Sequence, residues 1–279
     1  MQPKSAAVTP KTPFINRRLK PFPLRKAMFV LPNLFTLSSV FFGFSAIIGA
    51  SGNPTPTQLH QASMAVFFAL FFDMTDGRVA RLTRTQSEFG VQIDSLADVI
   101  SFGVAPGFIM YQWAFSNHGL FGILISFTFV ACGALRLARF NVLASHTKNP
   151  SKYFMGLPIP IAAGLMMALV MFHQDAYKAK VQNTTNAVAV VLVMSYLMIS
   201  NVRYRTFKNV RPSLITILAG SVGVAVFALV AAYFKPRFAL LVIFAGFIML
   251  GPLEEIIFFR KRRREDKLPP VLGNNEPSH

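Results

Sequence analysis

The stretch Ala62-Ser-Met-Ala-Val-Phe-Phe-Ala-Leu-Phe-Phe-Asp73-Met-Thr-Asp76-Gly77-Arg78-Val-Ala80-Arg81 drives an unbroken apolar run into two aspartates and two arginines. Crossing a hydrocarbon layer about 30 Å thick takes roughly 20 mostly apolar residues in a helix. This run reaches that length only if the acids share it, which places Asp73 and Asp76 at membrane depth. Outward from it, Gly, Pro and clustered charge cut the rest of the chain into comparable runs. Eight spans are expected, over 28–50, 58–82, 91–113, 119–141, 157–173, 186–201, 213–234 and 238–259. The expected fold class is an all-α, polytopic membrane helix bundle. A basic juxtamembrane segment (1–27) would precede the transmembrane domain (28–259), and a basic, polar tail (260–279) would follow it.

Composition agrees with that class. Of 279 residues 53% are hydrophobic and 14% charged, and the mean hydropathy is +0.47, well above an ordinary soluble domain. The single cysteine, Cys132, excludes an internal disulfide framework and a cysteine-built metal site. The net charge of +17 does not form one nucleic-acid-binding patch, because the basic residues lie in clusters between the apolar runs. Of the 28 Lys and Arg, all but Lys178, Lys180, Lys235 and Arg237 fall on the side assigned to both termini. By the positive-inside rule that side is the cytoplasm. The basic start followed by a long apolar run is expected to be a retained first span rather than a cleaved signal.

Only eleven acidic residues exist, and Asp73, Asp76, Asp94 and Asp98 fall within spans two and three. A charge at membrane depth costs at least ~2.5 kcal/mol on insertion scales, so four together require pairing, a wet cavity or bound cations. Asp73 and Asp76 are spaced i, i+3, and Asp94 and Asp98 i, i+4. Each pair therefore shares one helix face, and a short turn near Thr83 to Glu88 makes the two helices antiparallel neighbours. Four facing carboxylates without His or Cys suit Mg²⁺ or Mn²⁺. They fit two such ions about 3.5–4 Å apart, as used for in-line phosphoryl displacement. Gly77 and Ala80 give span two a small face, and Gly90 permits close packing one turn before Asp94. Arg78, Arg81 and Arg84 bring positive charge to the cytoplasmic mouth, where a pyrophosphate would need it. Taken singly, each aspartate pair also fits an ordinary structural ion pair with a neighbouring arginine.

The run Asp73-x2-Asp76-Gly77-x2-Ala80-Arg81-x8-Gly90-x3-Asp94-x3-Asp98 resembles the complete signature of the CDP-alcohol phosphatidyltransferase family, with no position departing. Leu31-Pro32-Asn33-Leu34-Phe35-Thr36 resembles that family's first span. The resemblance implies transfer of a phosphatidyl group from CDP-diacylglycerol to an alcohol, with release of CMP. It implies that Asp73, Asp76 and Asp94 hold metal and the nucleotide pyrophosphate, with Asn33, Gly77, Ala80, Arg81 and Gly90 against the CDP moiety. Asp98 would be the general base as well as a metal ligand. A homodimer in a bacterial cytoplasmic membrane, with the site facing the cytoplasm, is the corresponding expectation.

The segments Arg136-Leu-Ala-Arg139-Phe140-Asn141 and Gly156-Leu157-Pro158-Ile159-Pro160, with the eight-span count, resemble the family's phosphatidylserine synthase branch. That implies L-serine as acceptor, with Arg136, Arg139 and Asn141 as candidates to bind its carboxylate or a lipid phosphate. The same arginines also suit a plain role as interfacial cations snorkelling to the membrane surface. Other acceptors for the same chemistry are glycerol 3-phosphate, inositol phosphate and choline. From another class, a divalent-cation transporter would use buried aspartates too. It would need acids continuing toward the outer side, and spans four to seven contain none. His60, His118, His146 and His173 share no ligand spacing, and Glu254 and Glu255 are expected in ion pairs near the exit of span eight.

Overall fold

In the computed structural model the described residues are 24–85, 87–146, 153–177, 181, 184–205, 238–249 and 252. Helix α1 covers Leu24–Gly49 and α2 Pro56–Thr83. The start of α2 is fixed by a capping box. The Thr55 hydroxyl accepts from the Gln58 amide at 3.3 Å, the Gln58 side chain accepts from the Thr55 amide at 2.8 Å, and Pro56 follows. Its end is fixed by Arg84, which takes the left-handed conformation at φ 54° and lets the Thr85 amide return to the Ala80 carbonyl at 3.0 Å. Ser87 then caps α3 (Glu88–Asp98) by accepting from the Gly90 amide at 3.0 Å. The expected turn between spans two and three is thus present, and it returns the chain so that Asp94 of α3 comes back to Asp73 and Asp76 of α2.

Beyond Asp98 the helix does not end. It passes through a π-helical stretch, Val99–Val104, into α4 (Ala105–Met110), and through a second, Tyr111–Phe115, to a short turn at Ser116–His118. The Ala105 amide bonds the Ile100 carbonyl five residues back, just before Pro106, whose ring offers no N–H to continue the ordinary ladder. The chain reverses at Gly119 (φ 53°) into α5 (Gly119–His146). Then come β1 (Tyr153–Met155), α6 (Ile159–Tyr177), α7 (Thr185–Ile199), β2 (Arg203–Arg205) and α8 (Phe238–Met249).

Apolar packing sets the order of the bundle. Stacked rings of Phe42 with Phe68 and Phe72, 5.5 and 5.3 Å apart, join α1 to α2. Phe102, Ile109, Met110, Phe129, Ile159, Met166 and Met167 are fully enclosed, so the π–α4 region forms the centre with α5 and α6 around it. Helix α1 crosses the first π stretch at Gly43, where a Cβ would come within 2.8 Å of Ser101 Cα. There the Ser101 hydroxyl donates to the Ser39 carbonyl at 3.0 Å. Small residues with hydrogen-bonding hydroxyls are how membrane helices approach closely without a hydrophobic drive between them.

Among the described residues, three helical stretches are by length and composition apolar enough to cross a bilayer: Leu31–Gly49, Glu88–Leu143 and Ile159–Tyr177. The chain is an integral membrane protein. The second stretch contains the reversal at Gly119 and so corresponds to spans three and four. Helix α2 misses the same threshold because Asp73, Asp76, Arg78 and Arg81 dilute it, while α7 and α8 are shorter apolar helices. Span seven, the second half of span eight, both tails, Glu254 and Glu255 lie outside the described residues.

One feature departs from an all-helical reading. Strands β1 and β2 pair antiparallel, with Tyr153 opposite Arg205 and Met155 opposite Arg203. The pairing continues as Gly156 N–H to Val202 O at 2.9 Å, and the Leu157 N–H then bonds the Leu197 carbonyl near the end of α7 at 3.0 Å. Gly156 sits at φ 77°, and a Cβ there would strike the Met198 carbonyl. Glycine is therefore required at this position on both counts. Burial pushes the Tyr204 phenol up to about 12, so it remains a neutral donor, directed at the Ile248 carbonyl of α8 at 3.4 Å.

Candidate active site

Four carboxylates meet where α2 and α3 face one another. Oxygen atoms of Asp73, Asp76 and Asp94 all lie within 4.8 Å of each other. Asp98, one turn beyond Asp94, is within hydrogen-bonding reach of Asp73, and its Oδ1 is enclosed without a partner. Two ionised carboxylates hold such a contact only when a proton or a cation lies between them. The donor set is hard oxygen throughout, with a buried oxygen still unsatisfied, and it fits a divalent cation of the Mg²⁺ or Mn²⁺ type.

Helix α1 closes the site from a third side. The hydroxyl of Thr36, only 3% exposed, donates to Asp76 Oδ2 at 2.7 Å and lies 3.2 Å from the Pro32 carbonyl. This orients Asp76, itself 5% exposed, and leaves its second oxygen for the cluster. Asn33 approaches the start of α3, where a Cβ built on Gly90 would lie 3.9 Å from Asn33 Oδ1. On α2, a Cβ on Gly77 would meet only Arg81 Nη1, at 3.5 Å, so the backbone there is open to a ligand. The Arg81 guanidinium attracts Asp76. Asn33 thus lies near Gly90, and Arg81 lies near both Gly77 and Asp76.

The three residues expected to bind the acceptor separate. Arg136, 8% exposed, faces Asp98 electrostatically, lies 5.6 Å from the Phe140 ring centroid, and has an enclosed Nε without a partner. Arg139 is directed instead to the end of α7, with Nη2 donating to Asn201 Oδ1 at 2.8 Å and Nη1 to the Ile199 carbonyl at 3.4 Å. Asn141 donates to Ser95 Oγ at 3.0 Å, beside Asp94. Thr36, Ser95 and Asn201 are contributors the sequence did not single out. Thr36 stood in the quoted first-span motif, but its contact with Asp76 depends on how α1 crosses α2.

The family model for CDP-alcohol phosphatidyltransferases matches residues 29–199, which contain every one of these acids. The chain belongs to this family. Curated relatives carry the name CDP-diacylglycerol–serine O-phosphatidyltransferase. That of Helicobacter pylori is 37% identical over 232 residues, covering 83% of this chain and 86% of the relative. The protein so named in Methanocaldococcus jannaschii is 34% identical over 188 residues, 67% of this chain and 79% of its own length. The Bacillus subtilis protein is 32% identical over 182 residues, 64% and 92%. The phosphatidyltransferase match runs from the second turn of α1 to the last residue of α7. Asn201 and β2 fall just beyond it.

Proposed function

We propose that this chain transfers the phosphatidyl group of CDP-diacylglycerol to L-serine, forming phosphatidylserine and CMP. The observation that carries the proposal is the convergence of Asp73, Asp76 and Asp94 within 4.8 Å, with Asp98 and the buried Arg136 beside them. Divalent cations held by the four aspartates, two in the full site, would neutralise the pyrophosphate and polarise the phosphorus under attack. Asn33, Gly77, Ala80, Arg81 and Gly90 hold the CDP moiety, the open backbone at Gly77 admitting it closely. The serine hydroxyl attacks the phosphorus that bears the diacylglycerol, a new P–O bond forms, and the bond to CMP breaks. The hydroxyl proton passes to the Asp98 carboxylate.

Serine, rather than a larger or phosphorylated alcohol, is favoured by the names of the relatives and by Arg136. A guanidinium beside the base can take the amino acid's carboxylate in a bidentate pair while the hydroxyl faces Asp98. The basic residues gathered at this end of the bundle support an active site facing the cytoplasm, in an eight-span protein of the bacterial cytoplasmic membrane with both termini inside. The family resemblance further supports a homodimer. The acceptor is tested by CMP release from purified protein in mixed micelles of CDP-diacylglycerol with Mg²⁺ or Mn²⁺. Release that depends on L-serine is expected. Release with glycerol 3-phosphate or inositol phosphate but not serine would overturn the acceptor, and no release with any of them would overturn the transferase.

A further inference from the structure

Two arginines three residues apart on α5 have different fates. Arg136 is buried facing Asp98, whereas Arg139 is exposed and bound to the junction of α7 and β2. That junction is tied by several hydrogen bonds. Helix α7 ends where the Ser200 amide bonds the Tyr196 carbonyl at 2.9 Å and the Ser200 hydroxyl bonds the Leu197 carbonyl at 2.8 Å. The Leu157 amide reaches the same Leu197 carbonyl, Gly156 pairs with Val202, and the two strands continue the ladder. Arg139 docks on it twice, through the Ile199 carbonyl at the negative end of α7 and through the Asn201 amide oxygen. On its other side α5 is held to α3 by Asn141 and Ser95. The cytoplasmic end of α5 is thereby tied on both flanks, with Arg136 three residues before one tie and five before the other.

We propose that Arg139 and Asn201 form a latch that positions Arg136 against Asp98, making both positioning residues for the acceptor site rather than ligands of the acceptor. This rests on Arg136 being the group that receives the serine carboxylate. Breaking the latch frees the end of α5, and Arg136 loses its fixed separation from Asp98 without losing its charge. The serine KM then rises while the CDP-diacylglycerol KM stays in place.

The test is a double-mutant cycle in the CMP-release assay, with melting temperature in detergent recorded for every variant. Arg139→Ala and Asn201→Ala are each expected to raise the serine KM about tenfold, and the double variant no further than either alone. Asn201→Asp, which offers Arg139 a stronger acceptor at the same place, is expected to keep the wild-type serine KM. If Arg139 bound serine directly, Asn201→Asp would compete for it and raise the KM, Arg139→Ala would far exceed Asn201→Ala, and the effects would add. Any of these outcomes overturns the latch, as does a KM change that merely tracks a fall in melting temperature. Arg136→Ala separates the two levels of the argument. An unchanged serine KM in that variant overturns the reading of Arg136 and the latch with it. A raised KM there, with uncoupled 139 and 201 variants, overturns the latch alone.

Discussion

The hydroxyl of Thr36 donates to a carboxylate forty positions away in the chain, and that bond decides how Asp76 is presented. Thr36→Val keeps the shape and removes the donor, which leaves a buried carboxylate oxygen short of a partner at a cost of about 1–3 kcal/mol. Expected is a loss of roughly tenfold in the apparent affinity for Mg²⁺ or Mn²⁺, read from metal titrations of turnover, with Thr36→Ser near wild type. Asp98 belongs to another category, since its proposed task is proton transfer. Asp98→Asn is expected to lower kcat by about 10²–10⁴ with little change in the CDP-diacylglycerol KM. At this scale the aspartates were legible because charge at membrane depth is conspicuous and the i, i+3 and i, i+4 spacings state their shared face. The fates of Arg136 and Arg139 were not legible, because equal spacing on one helix says nothing of which neighbour lies beside each side chain.

The turn between α2 and α3 is set by the left-handed Arg84 and by the Ser87 cap on Gly90, and of this the sequence showed only a short turn near Thr83 to Glu88. The π-helical stretches after Asp98 carry a fainter signal, Pro106, and the strand pair carries none. Three-residue strands drawn from segments some fifty positions apart show no periodicity from which to read them. The motif Gly156-Leu157-Pro158 acquires its meaning only there, where a left-handed glycine passes under the Met198 carbonyl. Gly156→Ala combines strain with a backbone collision and is expected to destabilise by more than about 2 kcal/mol, seen as a lower melting temperature or failure to fold in membranes. Gly43→Val should act likewise, by pushing α1 off Ser101. An unchanged melting temperature in either variant would contradict the packing described.

Among the described residues, large apolar side chains are exposed along the helices that carry the aspartates inward. Leu34, Leu37, Phe41, Phe44 and Ile48 leave α1 exposed along one stripe, as a lipid-facing helix requires. Cys132 is buried and is the sole cysteine, so a Cys132→Ser background permits labelling of introduced thiols. Glu88→Cys, beside the site, is expected to react with a membrane-impermeant maleimide only from the cytoplasmic side, and Ser51→Cys, at the turn between α1 and α2, only from the outer side. The reverse pattern would invert the proposed orientation. On the proposed function, the four aspartates of α2 and α3 make a cation-dependent centre for phosphatidyl transfer to serine. Its most direct test strips the purified protein with EDTA and follows radiolabelled L-serine into extractable lipid before and after Mg²⁺ or Mn²⁺ is restored, in wild type and Asp98→Asn. Transfer that vanishes with chelation, returns with the cation and fails to return in Asp98→Asn is the predicted result. Transfer indifferent to EDTA, or near-normal in Asp98→Asn, would contradict it.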